Sequence, residues 1–86
     1  MPLICEFLGI KIFMFWDEHT PPHFHAQYGN DKALVSIEKA VVMKGFLPSR
    51  QLKLVLAWCE LHTDELLRNW ESSKSHGEIH RINPLS

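Results

Sequence analysis

Eighty-six residues, 45% of them hydrophobic, suffice for one domain around one small core, and that apolar content is too high for a disordered chain. Nine Lys and Arg against ten Asp and Glu leave a net charge of −1, which excludes a global field drawing the chain to nucleic acid or anionic lipid and confines any such contact to a local patch. Two distant cysteines, Cys5 and Cys59, do not make a disulfide framework, and no apolar run approaches the ~20 residues of a membrane span.

The start, Met1-Pro2-Leu3-Ile4-Cys5, lacks a basic n-region and a small-residue cleavage site, so a reduced, cytoplasmic protein is expected. Residues 3–8 form a short apolar run that Gly9 interrupts, either as a tight turn or as a bulge in one bent strand. Beyond it Ile10, Ile12, Met14 and Trp16 alternate with Lys11, Phe13, Phe15 and Asp17, the pattern of a central strand with both faces partly covered. Pro21 and Pro22 then remove two backbone donors and push Thr20 toward extended geometry, so residues 17–22 read as a loop.

Strand spacing resumes at His23. A period of two places His23, His25 and Gln27 on an outward polar face and Phe24, Ala26 and Tyr28 on the core face. Gly29-Asn30-Asp31 is a turn signal, and Ala33, Val35 and Ile37 alternate against Lys32, Ser36 and Glu38, with Leu34 as the apolar exception on the outer face, so these two segments predict a β-hairpin. A turn at Glu38-Lys39 leads to a short strand over residues 40–43, which Gly45 ends.

From Pro48 the spacing becomes helical, with Leu52, Val55, Leu56, Cys59, Leu66 and Trp70 at intervals of three and four. One helix over about residues 48–72 is expected, with His62-Thr63-Asp64-Glu65 as the place where it would kink or restart. Residues 73–86 read as a flexible tail that can add an edge strand through Ile79 and Ile82. The fold class expected is therefore α+β: a small antiparallel sheet of four to five strands, over about residues 3–44, packed on one long C-terminal helix in a single domain.

The chemistry concentrates in residues 17–29. His23-Phe24-His25 projects two imidazoles to one side of a strand, as two ligands of one ion require, and His19, Asp17 or Glu18 can reach from the loop to complete a set. No Cys pair or His-Glu-x-x-His helix accompanies them, so no metal or cofactor is assigned. The same residues also suit acid–base work: one of His19, His23 and His25 oriented by Asp17 or Glu18, with Tyr28 or Arg50 stabilising charge on a phosphate, is a minimal set for metal-independent RNA cleavage. The bland alternative has Asp17, His19 and Thr20 bonding their own loop backbone.

Lys39, Lys44, Arg50 and Lys53 lie near the sheet-to-helix junction, either as a modest phosphate-binding patch or as solvated charges. Leu54, Trp58 and Leu61 form a second apolar stripe on the helix, which is core if the sheet and tail wrap it and a partner-binding or oligomer surface if they do not. Gly-rich phosphate loops, Gly-x-Ser-x-Gly elbows and Cys-x-x-Cys pairs do not occur in the sequence.

Met1-Pro2-Leu3-Ile4, the turn Phe7-Leu8-Gly9-Ile10-Lys11-Ile12-Phe13-Met14-Phe15, the Pro21-Pro22-His23-Phe24-His25-Ala26 segment and the helix end Glu65-Leu66-Leu67-Arg68-Asn69-Trp70 together resemble the small bacterial proteins grouped as domain of unknown function 4160. The resemblance implies a two-gene operon whose neighbour belongs to domain of unknown function 2442, and a role as toxin of a type II toxin–antitoxin module. It implies a protein antitoxin as partner and carries no residue-level chemistry. The expectation is a growth-inhibiting toxin neutralised by that antitoxin and acting on RNA if it is an enzyme; the alternative is a non-toxic metal- or ligand-binding module using His19, His23 and His25.

Overall fold

The computed structural model describes residues 2–85. Its first strand, β1 (Leu3–Phe7), turns back through Leu8 and Gly9 into β2 (Ile10–Phe13). Both turn residues have positive φ, 51° and 81°, the geometry of a type I′ hairpin turn whose twist suits right-twisted strands. Gly9 is therefore a turn and not a bulge. A longer loop leads to β3 (His23–Tyr28), and Gly29 and Asn30 connect it to β4 (Asp31–Ser36) in the expected hairpin, paired from Tyr28 opposite Asp31 to His23 opposite Ser36. The last strand, β5 (Val41–Gly45), completes an antiparallel meander in the order β1-β2-β3-β4-β5. Gly45 ends it at φ 88°, where an added Cβ would stand 2.3 Å from the Lys32 carbonyl oxygen, too close for any side chain.

The C-terminal half corrects the single long helix. Two helices form, α1 (Ser49–Leu61) and α2 (Thr63–Lys74), broken at His62, whose backbone leaves the helical region at φ −123° and ψ 25°. Thr63 Oγ1 donates to the Cys59 carbonyl at 3.0 Å, and His62 Nδ1 bonds Glu65 Oε1 at 2.6 Å. Local side-chain bonds thus stand in for the regular ladder at the break, while Asp64 and Glu65 in the first turn of α2 complement its dipole.

Both helices lie against one face of the sheet. Ile10, Ile12, Phe24, Ala26 and Val35 from the strands, with Met14 and Ile37 just beyond the ends of β2 and β4, meet Val55, Trp58, Cys59, Leu66 and Trp70 in one core. Trp58 has no exposed surface, packs edge-on against Phe24 at 5.6 Å, and donates its indole N–H to the Asn83 carbonyl at 2.8 Å. Residues 77–85 form no strand, yet they are held against the body: Ile82 is buried and its N–H donates to the Ile4 carbonyl at 2.8 Å. The Asn69 amide exchanges two hydrogen bonds with the His80 backbone, at 2.8 and 3.0 Å. The segment expected to be a loose tail thus closes the edge of β1 and the side of the helices.

Candidate functional site

The loop between β2 and β3 is set by contacts that lie far away in sequence. Trp16 Nε1 donates to the Gly77 carbonyl at 2.9 Å, and Asp17 Oδ2 pairs with His76 Nε2 at 2.6 Å. Asp17 adopts a positive φ of 61°, and the chain turns there so that Glu18 comes over β3. Its Oε1 accepts a hydrogen bond from His25 Nε2 and lies 3.6 Å from His23 Nε2.

His23 is fixed from both sides. Its Nδ1 is 2.9 Å from the Pro21 carbonyl oxygen, which can only accept, so Nδ1 carries the hydrogen and the lone pair of the neutral ring resides on Nε2. The ring lies 5.1 Å from Trp70 of α2 and is only 6% exposed. Strand periodicity placed His23 outward with His25, but α2 covers it at the start of the strand. His25 is half-exposed, with Phe15 edge-on at 4.6 Å and the His23 ring at 5.6 Å. Glu18, His23 and His25 each present one ligand-type atom, all within 4.8 Å of one another.

Of the acid–base candidates, His23, His25 and Glu18 are brought together. His19 is exposed and outside this cluster. Asp17 is taken by His76, and Tyr28 occupies the far end of β3 on its core face, where its ring is 3.2 Å from the position of a Cβ at Gly9. Glu18, one of three loop residues able to reach the strand, supplies the carboxylate. Periodicity could not choose among them, because a loop has no period and the pairing of Asp17 with His76 joins segments distant in sequence.

The partner and phosphate candidates separate as well. Trp58 is core, Leu54 is half-buried against it, and Leu61 stands alone at 68% exposure, so the three do not make a surface stripe. Exposed apolar side chains gather instead along β5 and its end, at Val41, Met43 and Phe46. Arg50 and Lys53 are exposed on α1, behind the sheet, whereas Lys44 belongs to its open face. Lys39 is exposed in the β4–β5 turn, where its N–H donates to Ser36 Oγ at 3.2 Å.

That open face has an order of its own. The pairing sets Phe13, His25, Leu34 and Lys44 in one row across four strands, and Lys11, Gln27 and Lys32 in the next. Phe13 and Phe15 stack at 6.2 Å and 13°. A shallow recess of about 280 Å³ between His25, Lys32, Leu34 and Lys44 opens beside them. Another recess, about 460 Å³ between α2 and the C-terminal segment, shares no residue with the cluster and is lined by the already paired Asn69 and His80.

Cysteine chemistry is disfavoured. Burial pushes the Cys59 thiol up to about 11, with the Glu60 carboxylate adding to it, and burial likewise raises Cys5; thiols held neutral are poor nucleophiles. The reactive inventory is thus an imidazole–carboxylate couple, a second imidazole with a defined lone pair, and an aromatic and basic surface alongside.

Fold and site together define a small α+β domain with one helix-covered sheet face and one open face bearing an imidazole–carboxylate cluster. Within that class, the family model described as domain of unknown function DUF4160 matches residues 9–71, and the chain belongs to this family. No curated protein and no solved structure matches it. Among the described residues no helix is long and apolar enough to cross a membrane.

Proposed function

We propose that the chain is the toxin of a type II toxin–antitoxin pair, that its open sheet face receives single-stranded RNA, and that the Glu18–His23–His25 cluster is the reactive centre. The observation carrying this reading is the row Phe13, His25, Leu34 and Lys44 across the open face of an antiparallel sheet, with Phe15 stacked on Phe13 beside it. Unpaired bases stack on aromatic rings, and nearby lysines meet the phosphates. Such a patch needs no net positive charge, which fits a chain of net charge −1. The half-exposed His25 imidazole, paired with Glu18, is suited to exchange a proton with a phosphodiester on that face, with the buried His23 ring behind it.

The antitoxin belongs on the β5 edge in this reading, where Val41, Met43 and Phe46 are exposed and a partner strand can extend the sheet. Expression of the chain in a bacterial host tests the proposal. Growth arrest is expected, relieved by co-expression of the operon neighbour and by His25→Ala. Normal growth with folded, soluble wild-type protein present would sink it. A labelled RNA oligonucleotide should bind with a salt-dependent affinity that falls severalfold in Lys44→Ala and in Phe13→Ala.

A further inference from the structure

We infer that Glu18, His23 and His25 form a binding site for a divalent transition-metal ion of the class that prefers imidazole together with one carboxylate, represented by Zn²⁺ and Co²⁺. The inference rests on the geometry of the cluster and does not require the chain to be a toxin. The donor set comes first. Two imidazole nitrogens and one carboxylate oxygen match borderline transition metals, whereas Mg²⁺ and Ca²⁺ seek oxygen ligands.

The orientation of His23 is the second observation. With its Nδ1 hydrogen given to the Pro21 carbonyl, Nε2 of the neutral ring directs a lone pair toward Glu18 Oε1 at 3.6 Å. Two electron-rich atoms thus face each other, one on the 7% exposed His23 side chain and the other on Glu18 at 28%, and a cation between them turns that repulsion into two bonds. A carbonyl holding the far nitrogen of a histidine is also the support that metal-ligating imidazoles ordinarily have, since it fixes both tautomer and ring plane. No comparable partner is needed for a solvated surface histidine.

Spacing is the third. Ligand atoms within 4.8 Å of one another converge on an ion at ~2.0–2.2 Å with side-chain shifts of under about 1 Å. Trp70 behind His23 and Phe15 against His25 limit how far either ring can stray. On binding, the hydrogen that His25 otherwise shares with Glu18 at Nε2 passes through solvent to Nδ1, so that the neutral ring turns an Nε2 lone pair to the ion. Three protein ligands leave at least one coordination position open, beside the aromatic and basic face.

Titration of the full chain with Zn²⁺ by calorimetry, and with Co²⁺ by visible absorption, tests the site. One ion per chain is expected, with weaker Mg²⁺ binding. Glu18→Gln and His25→Ala, both at half-exposed positions, should each weaken Zn²⁺ binding by at least about tenfold, while His19→Ala leaves it unchanged. Far-ultraviolet circular dichroism confirms that the variants are folded. Absence of Zn²⁺ and Co²⁺ binding, affinity unchanged in both variants, or Mg²⁺ held as tightly as Zn²⁺ overturns the inference. Growth arrest by a chain that binds no metal removes this inference and keeps the toxin reading; metal binding without arrest does the reverse.

Discussion

The two faces of the sheet differ in what their residues are for, and β3 shows it within six positions. Phe24 and Ala26 point into the helix-covered core with 1% exposure or less, while His25 and Gln27 alternate with them toward the open side. The covered face is held by apolar packing and by buried polar groups that are paired. The open face is arranged by register: pairing alone aligns Phe13, His25, Leu34 and Lys44 across four strands. Changes on the covered face should therefore register as stability, and changes on the open face as binding or activity. His23 straddles the division, since it belongs to the open side by parity yet leans on Trp70.

The largest effect is expected at Trp58. Its ring is wholly buried, touches Phe7 and Phe24, and anchors the C-terminal segment through Asn83. Trp58→Ala should cost about 3 kcal/mol or more in the isolated chain, read as a lowered midpoint in urea denaturation. A loss below about 1 kcal/mol would mean that the ring is not core in solution and would break the contrast between the faces.

The covered face should also make the protein sensitive to alkali. Cys59 is pushed up to about 11 in the folded state by burial and then by Glu60, against ~8.5 for an unfolded thiol. The folded chain holds this proton more tightly, so the contribution is fully present below the unfolded value and is lost as pH rises through about 11. Denaturation at pH 8 and near pH 11 should differ by on the order of 2 kcal/mol more in wild type than in Cys59→Ala. Equal differences in the two proteins would remove Cys59 as the cause.

A smaller cost is expected where the helices hold the C-terminal segment. Asn69→Ala removes two hydrogen bonds to the His80 backbone. Because the recess beside them admits water, the freed groups are rehydrated and the loss should be about 1 kcal/mol. Amide exchange at His80 should rise together with this loss; protection of that amide in the variant would show that other contacts hold the segment.

Much of this architecture was legible in the residues because it is periodic. Alternation at Phe24 and Ala26 and at Ala33 and Val35 marked residues that are buried, and Gly29 marked a turn that exists, whereas the residues from Ile10 to Asp17 suggested a strand covered on both faces and Gly9 fitted a turn or a bulge alike. What escaped depends on contacts between segments distant in sequence. Leu54, Trp58 and Leu61 share a helical spacing, but only the sheet and the residues around Asn83 decide that Trp58 is buried and Leu61 is not. The break at His62 falls where acidic residues hinted at a restart, yet its form comes from Thr63 bonding the Cys59 carbonyl. The carboxylate of the site was undetermined for the same reason: His76, fifty-nine positions away, takes Asp17 and leaves Glu18 to the histidines.

The closest comparison is between neighbours on one strand. Phe24 and His25 share a backbone and differ only in the face they serve. Phe24→Ala should cost about 3 kcal/mol, as a buried aromatic does, whereas His25→Asn should cost less than ~1 kcal/mol, because a half-exposed ring is removed and water can hydrate Glu18. Activity or ligand binding should rank the two in the opposite order once each is measured on the folded fraction. If His25→Asn proved as destabilising as Phe24→Ala, the Glu18–His25 contact would be a structural clasp over the loop, and the open face would lose its claim to be the functional one. A small stability change with lost binding leaves the reverse conclusion: the clasp is weak because the side chains that make it are poised for something other than holding the fold together.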